Sequence, residues 1–199
     1  MLSTEYLPLL LFVIVSTVTP GGATTLATAS GANFGLRRSL PFIGGVAVGL
    51  ASMAAVAATG LGALVLAVPS LQWVMKLAGS AWLLWQAWKI SRQMPPHLSG
   101  KTLKPLGAIS ALWMVWHNPK GWTMSLSAVA SFASLSASPY TLAMVLSLLF
   151  GVFALISLCL WCLAGWWLAA RLRHRWQWQL LNTVLALLLV LSLVPVWME

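Results

Sequence analysis

Acidic residues are almost absent from this sequence. There is no aspartate, and the only glutamates are Glu5 and Glu199. Nothing between them offers a carboxylate pair, an acidic metal set or a carboxylate-based proton relay. Charge of either sign is scarce: 7% of residues are charged, against about 25% in a typical soluble domain. Cysteine is limited to Cys159 and Cys162, both in one apolar run, so no disulfide framework follows. One helical turn apart in an apolar helix, such cysteines are small packing residues. A redox pair usually opens a helix in a soluble fold. With no acid, metal cluster or serine–base pair, neither an enzyme nor a bound metal or cofactor is expected.

Hydrophobic residues are what the chain has in plenty, at 60% of its length. Apolar runs of about 20 residues, enough to span a bilayer, recur along it. The composition predicts an all-α integral membrane protein, one transmembrane domain over 1–199, with the lipid bilayer as its surroundings. A net charge of +9 would suggest nucleic acid in a soluble protein. Here the bases fall in short loops between spans and read as a topology signal.

Six spans are expected: about Tyr6–Ala29, Pro41–Ala67, Leu71–Ile90, Leu106–Ser134, Tyr140–Ala169 and Leu180–Trp197. Ala27-Thr28-Ala29 resembles a signal cleavage site, but Glu5 without a preceding base is wrong for a signal, so the first span is read as retained. The second span is rich in small residues, and Gly45 and Gly49 have a spacing that lets helices approach closely. That face, or the tryptophan belt of Trp82, Trp85 and Trp88, would suit a homodimer as well as lipid or a neighbouring helix. Loops one, three and five hold Arg37, Arg38, Lys89, Arg92, Lys101, Lys104, Arg171, Arg173 and Arg175; loops two and four hold no base. The positive-inside rule then puts the Arg37-Arg38, Lys89–Lys104 and Arg171–Arg175 loops in the cytoplasm and both termini in the periplasm.

Two spans are interrupted. Thr19-Pro20-Gly21-Gly22 breaks the first and His117-Asn118-Pro119-Lys120-Gly121-Trp122 the fourth, with the prolines 99 positions apart in 199 residues. Proline removes a backbone donor and clashes with the preceding turn. Paired interruptions in matching segments of two halves point to a transporter's binding site. Three spans per half give the halves, about 1–99 and 100–199, opposite orientations: two inverted three-helix repeats, each opened by a broken helix. Free N–H groups after each break suit a carboxylate, the carbonyls before it suit an ammonium group, and Lys120 adds a full positive charge. Thr19, Pro20, Gly21, Gly22, Asn118, Pro119, Lys120 and Gly121 are therefore the candidate substrate-binding residues. No acid lies within a span to receive a cationic side chain, so the solute is expected to be small and neutral overall. His117, which titrates near neutral pH, and Lys76, within the third span, are candidates for coupling or gating. Each also has a plain reading, His117 as a packed or cavity-facing ring and Lys76 as a side chain reaching for the interface.

Thr19-Pro20-Gly21, Gly35-Leu36-Arg37-Arg38, Lys76-Leu77-Ala78-Gly79 through Trp85-Gln86-Ala87-Trp88-Lys89, and Asn118-Pro119-Lys120-Gly121-Trp122 together resemble the LysE/RhtB-type amino-acid exporters of bacterial inner membranes. The likeness covers nearly the whole chain. The tail from Leu163-Ala164-Gly165 to Asn182-Thr183-Val184 looks most like the cysteine/O-acetylserine exporter branch. The resemblance implies efflux of amino acids or close derivatives, driven by the proton gradient. Two departures stand out. The family's first motif reads Pro-Gly-Pro followed by Asp or Asn, whereas this chain has Pro20-Gly21-Gly22-Ala23, which bears on both substrate and coupling. His117 stands where the family commonly has an aliphatic residue. The alternatives are a membrane thiol-redox relay and a transport-inactive relative or passive pore. A relay needs a cysteine near each break, and none is there. Changing Cys159 and Cys162 to serine is expected to leave activity unaltered; loss of activity would restore the relay.

Overall fold

Proline and glycine mark most of the helix ends. The computed structural model describes residues 2–60, 67–93, 104–136 and 138–198, with side chains from Tyr6 onward. Among these residues it is predominantly helical, with no strand. Helix α1 is Leu2–Val18, α2 Gly22–Ala58, α3 Pro69–Ser91, α4 Ala108–Trp116, α5 Pro119–Phe132, α6 Pro139–Ala169, α7 Arg175–Leu191 and α8 Val194–Met198. A short 3₁₀ turn, Ala133–Leu135, follows α5. Pro69, Pro119 and Pro139 each open a helix, where a missing N–H costs nothing because that donor would be unpaired anyway.

Both expected interruptions are present. Residues 19–21 separate α1 from α2, and His117 and Asn118 separate α4 from α5. Among the described residues, three helical stretches are long and apolar enough to cross a membrane: Gly22–Ala58, Pro139–Ala169 and Arg175–Met198. The other expected spans map onto α3 and onto the pairs α1–α2 and α4–α5. The end of the second span, at 61–66, and the loop residues 94–103 lie outside the described residues.

The structure corrects one expectation. Arg37 and Arg38 do not sit in a loop but in the helical segment that follows a kink at Gly35 within α2. The turn is made by one residue: Gly35 has φ 74° and ψ 172°, a backbone that side-chain-bearing residues avoid. Side-chain hydroxyls brace the kink. Ser39 Oγ donates to Gly35 O at 2.8 Å, and Ser30 and Ser39 hydroxyls meet at 2.7 Å across the kink. A hydrogen-bonded kink thus replaces the loop.

The central packing is between α2 and α6. A Cβ on Gly31 would collide with the Cys162 backbone, and one on Gly165 with the Thr28 backbone. Two glycines therefore bring two backbones into direct contact, the packing that small residues permit between apolar helices. Gly45 and Gly49 do the same toward α4: Gly45 faces the Ala108 backbone and Gly49 the Val115 side chain. Polar side chains join the same helices. Ser147 Oγ donates to Ala51 O at 2.9 Å, and Trp116 Nε1 to Ser52 Oγ at 3.1 Å. Phe42, Ile43, Met53, Leu146, Phe150 and Leu189 fill the core between them. Leu11, Val15, Val48, Met144, Leu148, Leu160 and Leu187 are exposed, a band of apolar surface that water would penalise and lipid accepts.

At the end carrying most of the bases, charge and tryptophan pair up. Lys89 Nζ lies 4.0 Å from the Trp85 ring, Arg92 Cζ 5.0 Å from Trp88 and Arg171 Cζ 3.3 Å from Trp167. Such pairs suit a headgroup region, where an aromatic body is apolar and a cation is wet. Gly31→Val is expected to overpack the α2–α6 crossing and cost about 1–3 kcal/mol or more. A lowered thermal midpoint of the purified protein in detergent would show it; an unchanged midpoint would mean that the two helices part freely.

Candidate functional site

The two breaks meet. Lys120, at the start of α5, extends its ammonium group to the carbonyl of Thr19, just past the end of α1, at 3.3 Å. A Cβ on Gly21 would lie 3.1 Å from the same Nζ. Residues about a hundred positions apart thus form one centre.

At the first break the carbonyls are already engaged. Thr17 O accepts from Ser157 Oγ at 2.8 Å and Val18 O from Trp161 Nε1 at 3.2 Å, both from α6. With Lys120 on Thr19 O, three successive carbonyls have donors from other helices. These carbonyls, expected to await an ammonium group of the solute, are met by the protein itself. Apolar surroundings demand this, since an unpaired backbone group there costs several kcal/mol.

The amides tell a different story. Gly21 N donates to Thr24 Oγ1 at 2.7 Å, and that hydroxyl donates back to Gly21 O at 2.9 Å. Gly21 is the N-cap residue of α2 and has no side chain to cap the next amides. The N–H groups of Gly22, Ala23 and Thr24 precede the first intrahelical bond, which runs from Thr25 N to Gly21 O, so they have no partner within the helix. At the second break Asn118 Oδ1 accepts from Lys120 N at 3.1 Å, an ordinary side-chain cap. Trp122 Nε1 donates to Trp116 O at 3.0 Å. The α5 start is therefore capped, and the α2 start is open.

A cavity of about 50 Å³ lies at this junction. Thr19, Gly21 and Gly22 line it from one break, and Asn118, Lys120 and Gly121 from the other. Ala23, Thr24, Met114, Met124 and Leu158 complete much of the wall. Six of the eight expected binding residues thus surround one space. Pro20 is exposed and Pro119 faces a second, smaller cavity of about 10 Å³; both shape the chain and do not line the larger space. His117 also lines the smaller cavity. Its ring stacks on Trp113 with centroids 4.1 Å apart, and Nδ1 lies 2.8 Å from Trp113 O. A carbonyl only accepts, so that bond places a proton on Nδ1. Asn118 and Met114 line both cavities and stand between His117 and Lys120. Lys76 lines neither. It is half-buried on α3, one turn before Gly79, whose Cα faces the His117 carbonyl.

Sequence reasoning missed Ser157, Trp161 and Thr24. The sole signal was a hydroxyl or indole inside an apolar run, too common in membrane helices to single them out. Cys159 and Cys162 are free thiols on α6, and Cys162 is buried. Neither lines the cavity at the breaks.

Irregular backbone around a space within apolar helices is a feature of solute carriers. Comparison with known proteins agrees in class. The family model described as LysE type translocator matches residues 14–193, and the chain belongs to that family. It is a membrane translocator and not an enzyme. Among its relatives is the cysteine/O-acetylserine efflux protein of Klebsiella pneumoniae, 32% identical over 191 residues, covering 96% of this chain and 95% of the relative. The proteins of the same description in Escherichia coli and Shigella sonnei are 27% identical over 186 residues, 94% of each chain. No solved structure matches.

Asn118→Ala should remove the α5 cap and cost about 1 kcal/mol, while Asn118→Ser should retain most of it. Thermal midpoints of the two variants in detergent measure the difference. Equal midpoints would show that the cap contributes nothing.

Proposed function

We propose that this chain is a secondary transporter that exports small neutral amino acids or close derivatives across the bacterial inner membrane, with the solute held between the two helix breaks. One observation carries the reading: the Lys120 ammonium on Thr19 O at 3.3 Å, beside the open start of α2. A carboxylate entering there meets a full positive charge and up to three unpaired amides, Gly22 to Thr24, at a helix N-terminus. The chain has no acid from residue 6 to 198, so no side chain competes for Lys120. The same lack leaves the solute's ammonium group to carbonyls. Thr19 O is the nearest, and it becomes available when Lys120 turns to the carboxylate. An α-amino acid thus exchanges one internal bond for two of its own. Amines and plain carboxylates replace just half of that set.

The wall of Met114, Met124 and Leu158 suits a small, weakly polar side chain. The relatives' description, efflux of cysteine and O-acetylserine, fits that size and charge. A space of about 50 Å³ holds a few waters and not an amino acid, so the breaks must part to load. Six spans as two inverted repeats, 1–99 and 100–199, provide such a movement: one half rocks on the other about a fixed site. The basic loops then face the cytoplasm and the termini the periplasm. Proton coupling runs without an intramembrane carboxylate, and His117, which lines the adjoining smaller cavity, is the candidate for coupling or gating.

Cells overproducing the protein should show accelerated efflux of radiolabelled cysteine, O-acetylserine or another neutral amino acid, suppressed by an uncoupler. Lys120→Ala and Pro119→Ala should reduce efflux to the vector background with normal membrane insertion. Normal efflux from both variants would remove the site assignment; no efflux of any amino acid from the parent would remove the function.

A further inference from the structure

A short helix near the end of the chain lies against the second break. Helix α8 follows a turn at Ser192 and Leu193, whose N–H groups donate to Leu188 O and Val190 O at 3.0 Å. Its five residues form too few hydrogen bonds to hold a helix alone, so its place is set by what it touches. Leu193 and Val196 are buried, while Val194, Pro195 and Met198 are exposed. Both buried side chains line the cavity of about 10 Å³, together with His117 and Pro119 of the second break and Ser80 of α3. Trp197 reaches further. Its Nε1 donates to Ser80 Oγ at 3.1 Å, and its ring meets Trp73 edge to face with centroids 5.9 Å apart. Trp73 and Ser80 are seven positions apart on α3, about two turns along one face.

What α8 covers leads to the junction. Met114 and Asn118 line both the small cavity and the space at the breaks. A path past Leu193 and Val196 therefore meets the small cavity, then Met114 and Asn118, then Lys120. The two sides of the small cavity differ in how they are held. On α3 a Cβ at Gly79 would collide with the His117 carbonyl, so helix and break are in backbone contact and part only if whole elements move. On α8 the hold is by side chains, on a short segment beyond a turn. Segments of that kind open first, because few contacts are lost. Lys76, half-buried, stands three residues after Trp73 and four before Ser80, which puts it on the same face of α3. Lifting α8 thus uncovers a base beside the path, and in the reading above the path carries a carboxylate.

We propose that α8 is the outer gate of this transporter: Leu193 and Val196 close the small cavity, and Trp197 latches the helix to Ser80 and Trp73. The proposal rests on the transport reading and on the topology that puts the end of the chain in the periplasm. It gives both sequence candidates for gating a place, since His117 lines the way through and Lys76 flanks the latch.

The test uses Met114→Cys in a Cys159→Ser, Cys162→Ser background, in right-side-out and inside-out membrane vesicles. The probe is a membrane-impermeant methanethiosulfonate carrying a trimethylammonium group. Trp197→Phe keeps the ring contact and removes the hydrogen bond; Ser80→Ala removes the bond from the other side. Each is expected to speed modification severalfold in right-side-out vesicles and to leave inside-out vesicles unchanged. Ser80→Thr, which keeps the acceptor, should match the parent. In the same background without Met114→Cys, Ser80→Cys and Trp197→Cys joined by a bifunctional methanethiosulfonate should stop efflux, and dithiothreitol should restore it. Equal modification in the parent and both latch variants would overturn the gate. So would faster modification in inside-out vesicles, alone or alongside the outer face, and so would a cysteine unreactive in every variant. Undiminished efflux from the cross-linked protein would make α8 a static cap, with the same consequence. Faster outer modification in a protein that exports nothing would sustain the gate and defeat the transport reading instead.

Discussion

A broken helix in apolar surroundings must find partners for its freed backbone, and the rest of this structure depends on how that demand is met. Thr17 and Val18, at the end of α1, and Thr19 just beyond it present three carbonyls that have no helical partner. Ser157 and Trp161 reach from α6 for two of them, and Lys120 reaches from the second break for the third. Each bond meets a carbonyl that would otherwise be left unpaired among apolar helices. The helices that supply the donors are thereby fixed in place around the break.

That arrangement also explains the glycines on α2 and α6. Ser157 and Trp161 reach the α1 carbonyls because α6 lies close, and α6 lies close because Gly31 and Gly165 let it contact the α2 backbone. Packing and site are consequently one problem. The same helices that bury Phe42 and Phe150 hold the donors over the break, so a change in the crossing also disturbs the cavity. On the other side of the break, no side-chain cap or other acceptor among the described residues meets the N–H groups of Gly22, Ala23 and Thr24. This asymmetry between satisfied carbonyls and open amides is the basis on which a carboxylate is proposed to bind there.

The breaks were legible in the primary structure because proline and glycine act locally: one removes a donor and the other permits a turn, whatever the tertiary context. Pro20 and Pro119 accordingly mark interruptions that the fold retains. The small residues Gly45 and Gly49 announced a close helix contact for the same reason. Other features were misread or missed. Arg37 and Arg38 suggested a loop because two charges usually mean water, but Gly35 turns the chain in a single residue and the helical path resumes at once. Ser157 was invisible because its importance comes from facing Thr17, 140 positions away.

The sequence alone determined that this chain belongs in a bilayer, that acid-based chemistry is excluded between residues 6 and 198, and that two helices are interrupted at matching places. Those properties follow from side-chain hydration and local backbone sterics, which any stretch of sequence carries with it. Only the tertiary structure decided that the interruptions face each other, that Lys120 bridges them, and that His117 and Lys76 stand outside the space they enclose. Distances between remote segments depend on how whole helices pack, and no local pattern encodes them.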